Sequence, residues 1–169
     1  MNKNKIIEKT KQFLLDNKDS NINEKLDLLD HILSIPKRKE RYSLLYDALC
    51  DYLDDYFYNK NICEFKCNTC AKKRLLAKRD GTYPYENGCC YGVLKKELCH
   101  YLGKDGKCTI RNLACKLYTC NYLKEKGYHF KLKNIYLSKY TLSPFQKYYL
   151  THKFFEPKEK VLKGLLKRP

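Results

Sequence analysis

The sequence predicts a mainly α-helical protein, a small helical bundle carrying an irregular cysteine-rich metal-binding segment. Three observations lead there. Apolar residues recur at three- and four-residue intervals through most of the first 58 positions. That periodicity stops at Cys63, and nine of the ten cysteines lie between Cys63 and Cys120. It resumes after Arg111, punctuated by Gly127, Ser143-Pro144 and Pro157. A chain of 169 residues has room for one modest core. Residues 1–62 therefore read as an N-terminal helical unit, 63–127 as the cysteine-rich metal-binding segment, and 128–169 as a basic aromatic helical tail packed in the same single domain.

Over residues 4–16, Ile6, Ile7, Phe13 and Leu14 fall near one face of a first helix. Asn21 with Glu24 has the form of a capping box, ahead of Ile22, Leu26, Leu29 and Leu33 on a second helix that Pro36 ends. From Lys39 to Tyr58, Tyr42, Leu45, Leu49, Tyr52 and Tyr56 make the apolar stripe of a third, with Asp47, Asp51, Asp54 and Asp55 on its other faces. Cys50 lies beside that stripe and reads as a small buried hydrophobe rather than a ligand. From Cys63 to about Lys107 the chain reads as loop, with turns at Asp80-Gly81, Asn87-Gly88 and Asp105-Gly106. From Arg111 a helix runs to a cap at Gly127, aiming Cys115 and Cys120 toward the metal. Tyr128 to Lys133 alternates like a short strand. Ser143-Pro144 reads as an N-cap with a first-turn proline for a helix carrying Phe145, Tyr148, Tyr149 and His152. Pro157 then separates it from a last helix with Val161, Leu162, Leu165 and Leu166.

The net charge of +16 is unevenly spread. Residues 1–62 balance 11 Lys/Arg against 11 Asp/Glu, 63–120 carry 12 against 5, and 121–169 carry 12 against 3. The basic character thus begins at the cysteines. Four thiolates on one zinc leave about −2, so bound metal would reduce the middle segment to roughly +5 for one site or +3 for two. The tail has ten aromatics interleaved with its lysines, a composition that suits either a ring-and-stem covering of a small core or weak nucleic-acid binding through residues 121–169. The chain shows neither an export signal nor an apolar run long enough to span a bilayer, so the expected setting is cytoplasmic, with no membrane partner. Ten cysteines in a reducing compartment are available to metal rather than to disulfides.

The expected ligands are Cys67, Cys70, Cys89, Cys90, Cys99, Cys108, Cys115 and Cys120, and the expected cofactor is zinc or an iron–sulfur cluster. A C-x2-C turn such as Cys67–Cys70 can aim two sulfurs at one metal while distant cysteines complete the shell. Cys63 extends the pair to C-x3-C-x2-C, the spacing of radical S-adenosylmethionine enzymes. Here, however, it follows a helix, and about 100 residues remain for the strand–helix repeats that such a barrel needs. Cys63 is then either an extra ligand or a plain thiol, and the expected set does not include it. A phosphate-loop reading of Gly103 to Thr109 fails, because two residues separate the glycines and no Ser or Thr follows the lysine directly. His31, His100, His129 and His152 pair with no recognisable nucleophile or base. The chain leans away from being an enzyme.

The stretch GCCYG (88–92) followed by LCHYLGKDGKCTIRNLACKLYTC (98–120) resembles the YkgJ-like cysteine-cluster family, bacterial proteins described as zinc- or iron-chelating. Cys67 and Cys70 match its first cysteine pair, Cys99 with Tyr101-Leu102 its next element, and Asp105 to Ile110 its D-G-x-C-x-Ile element, with Cys115 and Cys120 following. Lys73-Arg74 stand where the family has a cysteine doublet, Cys89-Cys90 supply one after an insertion, and Arg111-Asn112 replaces a longer Arg-Pro segment. The resemblance covers about residues 63–122 and implies a chelating domain of largely unassigned activity, some relatives being associated with flagellin lysine methylation. Three readings stay open: a metal-binding protein with an accessory role, a zinc-stabilised nucleic-acid-binding protein, and an iron–sulfur or methylation-linked enzyme.

Overall fold

The computed structural model describes residues 1–64, 66, 70–79 and 111–168. These residues are mainly helical, as the periodicity predicts, and contain no strand. Helices α1 (Lys3–Asp16), α2 (Ile22–Ser34) and α3 (Arg38–Asp54) form the N-terminal part. Asn2 caps α1 by accepting the Lys5 amide at 3.0 Å. At the other end Lys18, at φ 51°, lets the Lys18 and Asp19 amides bond back to the Leu15 and Leu14 carbonyls. Asn21 is also left-handed, at φ 56°, and its side chain makes no cap bond, so the expected capping box does not form. Two left-handed residues in one short connection turn the chain back so that α2 lies against α1. Ile35 is extended, as the residue before a proline must be, and α2 stops there.

Helix α3 is the centre of the fold. Its α-winding ends at Asp54, short of the expected Tyr58, and the chain continues as a π-turn over Asp55–Asn59 in which the Lys60 amide reaches the Asp55 carbonyl. Leu45, Tyr46, Ala48, Leu49, Cys50 and Leu53 are all buried, a spread wider than the stripe read from the sequence. The reason is that α3 is surrounded. It packs on α2, on α5 (Leu113–Leu117), on α7 (Tyr136–Lys139) and on α9 (Lys158–Leu166), while α8 (Pro144–Thr151) rests on α5 and α9. The main core therefore joins Ile6, Leu14, Leu29 and Ile32 to Leu113, Leu137, Leu150 and Leu165. Rings tie the same halves together: Tyr52 meets Tyr136 edge-on at 5.8 Å, and Phe57 meets Phe130 at 5.0 Å between centroids. No helix of the described residues is long and apolar enough to cross a membrane.

Three local expectations give way. Helix α4 (Ala71–Arg79) occupies part of the stretch read as loop. Its sequence AKKRLLAKR holds only strong helix formers, and Lys78 and Arg79 complement the dipole of its last turn. The helix expected from Arg111 to Gly127 is broken into α5 and α6 (Asn121–Glu125), because Tyr118 and Cys120 are extended. The break sends Leu117 into the main core and Leu123 into a second cluster. Tyr128 to Lys133 is not a strand: the chain tightens into a 3-10 turn at Leu132–Asn134, which buries both Leu132 and Ile135. The expected stops do hold. Gly127, at φ 83°, closes α6 with its own amide on Lys124 and that of Tyr128 on Leu123. Ser143 and Gln146 form a capping box around Pro144 at the start of α8.

Gly164 sits inside α9, where glycine costs about 1 kcal/mol relative to alanine. Close approach explains it: a Cβ built there would lie 1.9 Å from the Tyr149 hydroxyl, and the Arg168 guanidinium covers the same ring at 3.8 Å from its centroid. Gly164→Ala is expected to destabilise the fold by roughly 1–3 kcal/mol despite alanine's better helix propensity. Thermal melting of this variant beside Gly164→Ala/Tyr149→Phe checks it, since removing the hydroxyl should return part of the loss.

Candidate metal centre

The second, smaller cluster consists of Ile62, Cys70, Cys120 and Leu123, with Cys63, Phe57, Tyr122 and Tyr128 packed against it. Its cysteines come from three separate segments. Asn61 and Glu64 are left-handed, at φ 43° and 49°, and the Glu64 amide donates to the Asn61 carbonyl at 2.8 Å, so a tight turn presents Cys63. The Cys63 carbonyl accepts the Ala71 amide at 3.0 Å, tying this turn to the start of α4. Cys70 stands immediately before α4 and its carbonyl accepts the Arg74 amide; Cys120 stands immediately before α6 and its carbonyl accepts the Lys124 amide. Two helix starts and one turn thus converge on the same apolar patch.

A polar clamp holds the outside of this arrangement. Glu64 pairs with Lys126 and accepts a hydrogen bond from the Tyr122 hydroxyl at 2.9 Å, while Arg74 donates to the Glu64 carbonyl at 2.8 Å. The Lys126 and Tyr122 hydrogen bonds hold the Glu64 carboxyl below the usual range. The clamp fixes the 61–64 turn to both α4 and α6, and no cysteine takes part in the ion pair.

Of the ligands expected from sequence, Cys70 and Cys120 meet here, whereas Cys115 does not. It is half-buried on α5, with its amide held by the Asn112 side chain at 2.9 Å. Cys67, Cys89, Cys90, Cys99 and Cys108 lie outside the described residues. Cys63, set aside at the sequence level, joins the cluster; the signal for it was the C-x3-C-x2-C spacing itself. Cys50 is fully buried in the main core, its Sγ 3.5 Å from the Arg111 carbonyl oxygen, and burial pushes its thiol up to about 12. Such a thiol is a packing residue. Among the described residues, no three His, Cys, Asp or Glu side chains are grouped so as to hold a metal ion by themselves.

The basic excess also has a visible internal destination. Asp47 takes Lys158 at 2.6 Å, Asp51 takes Arg111 at 2.7 Å, and Asp54 takes Lys116. Asp47, Asp51 and Asp54, which the sequence places on the other faces of α3, are thus partners for cations of the C-terminal half. Arg168 on Tyr149 and Lys139 on Phe13, at 3.8 and 4.5 Å, place further cations over rings. No family model, no curated protein and no solved structure matches the chain.

Proposed function

We propose that the chain is a cytoplasmic metal-binding protein with an accessory role, its cysteine cluster holding zinc or an iron–sulfur centre. The observation that supports this best is the meeting of Cys63, Cys70 and Cys120 in one small apolar cluster while Cys50 is sequestered elsewhere. The donor chemistry fits: sulfur donors suit zinc and iron–sulfur centres and not magnesium or calcium. Cys67 stands between two members of the group in sequence, and Cys89, Cys90, Cys99 and Cys108 supply further sulfur. The resemblance to the YkgJ-like chelating family rests on these same residues. The bound group would act as a structural clamp, since it would tie the 61–64 turn to the starts of α4 and α6.

Elemental analysis beside an anaerobic absorption spectrum tests the proposal, a zinc protein being colourless and an iron–sulfur protein brown. Removing the metal with a chelator is expected to open residues 61–79 to protease and to lower the thermal midpoint, because structural metal binding contributes on the order of 10 kcal/mol. Cys70→Ser and Cys120→Ser should each lose at least half of the bound metal and Cys50→Ser should keep it all. Protein that holds no stoichiometric metal, or an equal loss on replacing Cys50, would rule the reading out.

A further inference from the structure

The outer face of α8 carries an unusual pair. Phe145 is 73% exposed and Tyr148 67%, the most exposed large apolar side chains among the described residues. They lie one helical turn apart on a helix fixed at its start by the Ser143–Gln146 capping box and Pro144. Gln146 further anchors that helix by donating to the Tyr42 hydroxyl at 2.9 Å. The two rings are therefore presented on a rigid support rather than left on a loop, and Tyr148 is steadied by the His152 ring at 4.1 Å.

Tyr148 also forms one wall of an open groove of about 690 Å³ between α8 and the chain from Tyr118 to Lys133. Lys124, Lys131, Lys133 and Lys147 line the groove with Phe130, and no Asp or Glu is among the described residues that line it. Elsewhere in the C-terminal half Arg111, Lys116, Lys126, Lys153 and Lys158 pair with Asp51, Asp54, Glu64, Glu156 and Asp47. Among the described residues, none of the four groove lysines pairs with a carboxylate. Lys147 donates instead to the Lys139 carbonyl at 2.7 Å, and burial together with Lys139 holds its ammonium below the ordinary lysine range. An anion in the groove would relieve both effects.

We propose that this face binds single-stranded nucleic acid, bases stacking on Phe145 and Tyr148 and phosphates lying along Lys124, Lys131, Lys133 and Lys147. Charge complementarity calls for a polyanion, and the projecting rings decide which kind. A carboxylate side chain would satisfy a lysine but has no face to cover a ring, whereas each unpaired nucleotide carries both a phosphate and a π-face; a duplex hides those faces. The contacts read no base edge, so binding is sequence-tolerant and strongly salt-dependent. The inference does not depend on the metal reading, since none of the described residues that line the groove is a cysteine.

Fluorescence anisotropy of the full chain with labelled oligo-dU and oligo-U, which share a base and differ in the sugar, each about 20 nucleotides long, provides the test. Binding at about 50 mM salt should weaken at least tenfold by about 200 mM. Phe145→Ala and Tyr148→Ala, both at exposed positions, should each weaken it by about 5- to 100-fold with the melting curve unchanged. Lys131→Ala/Lys133→Ala should weaken it and flatten the log–log salt slope by roughly 0.7 per contact removed. The control Lys5→Ala/Lys11→Ala, with the same charge change on exposed positions of α1, should leave both unaltered. Tighter binding of either oligomer supports the proposal and identifies the sugar. Three outcomes overturn it: no saturable binding at about 50 mM salt, an equal loss from the α1 control, or binding to phosphatidylserine-containing vesicles without binding to either oligonucleotide.

Discussion

Asn112→Ala is expected to lower the unfolding free energy by about 3–5 kcal/mol, a large share of the stability of a domain this size. Asn112 is fully buried and makes three hydrogen bonds that join two segments. Its Oδ1 accepts the Cys115 amide at 2.9 Å and so caps α5, while its Nδ2 donates to the Lys153 carbonyl at 2.7 Å and the Glu156 carbonyl at 2.8 Å. Alanine removes the cap, worth about 1 kcal/mol, and strands two carbonyls in the connection between α8 and α9. Asn112→Asp separates the roles. It keeps the cap acceptor but turns a second oxygen toward two carbonyls, so at neutral pH it should be at least as damaging as alanine. Its deficit should shrink toward pH 4, because a carboxyl facing those carbonyls titrates above its unfolded value of about 3.9 and can donate once protonated. Urea unfolding of the three proteins at pH 7 and pH 4 decides; an Asn112→Asp variant within about 0.5 kcal/mol of the parent at pH 7 would show that the donors contribute nothing.

Asp54→Ala is the second large expectation, at about 3–5 kcal/mol, and its size comes from the partner left behind. The Lys116 side chain is only 3% exposed, whereas Asp54 is 25% exposed. Removing Asp54 leaves an ammonium in the interior facing the Tyr58 ring, 5.6 Å from its nitrogen to the centroid. Removing the ammonium instead, by Lys116→Met, leaves a carboxylate that water can reach, so its cost should be clearly smaller. The double variant should lie nearer the parent than Asp54→Ala does, giving a coupling energy of favourable sign in a double-mutant cycle. If the two single variants lose equal stability, the difference in exposure is not what sets the cost.

Periodicity and punctuation made the helices legible. Pro36, Ser143-Pro144, Pro157 and Gly127 all act where their covalent geometry says they should. What a period of 3.6 cannot state is the partner of an apolar face. Tyr42, Leu45 and Leu49 read as one stripe of a three-helix unit, and nothing local tells that Leu113, Leu137 and Leu165 complete the same core. Asn112 is opaque for a related reason: its significance lies in carbonyls 41 and 44 residues away. In the candidate centre the residue type was informative and the grouping less so. Cys70 and Cys120 come together, but Cys115, five residues before Cys120, is carried away by the extended break that separates α5 from α6. For Cys63 the informative signal is the C-x3-C-x2-C spacing, which reports its proximity to Cys70.

A core assembled from both halves of the chain orders events on the ribosome. Helices α1 to α3 emerge first, with Leu45, Leu49 and Leu53 facing partners that do not yet exist. At about 5–20 residues per second, Leu113 follows Leu53 by roughly 3–12 s, and Val161, Leu162 and Leu165 come a few seconds later still. Cys63 and Cys70 leave the exit tunnel well before Cys120, so the small cluster and the main core are both completed by the later part of the chain. For those seconds the nascent protein carries open apolar helices together with thiols that lack their later neighbours, and it is then that a chaperone has its best access.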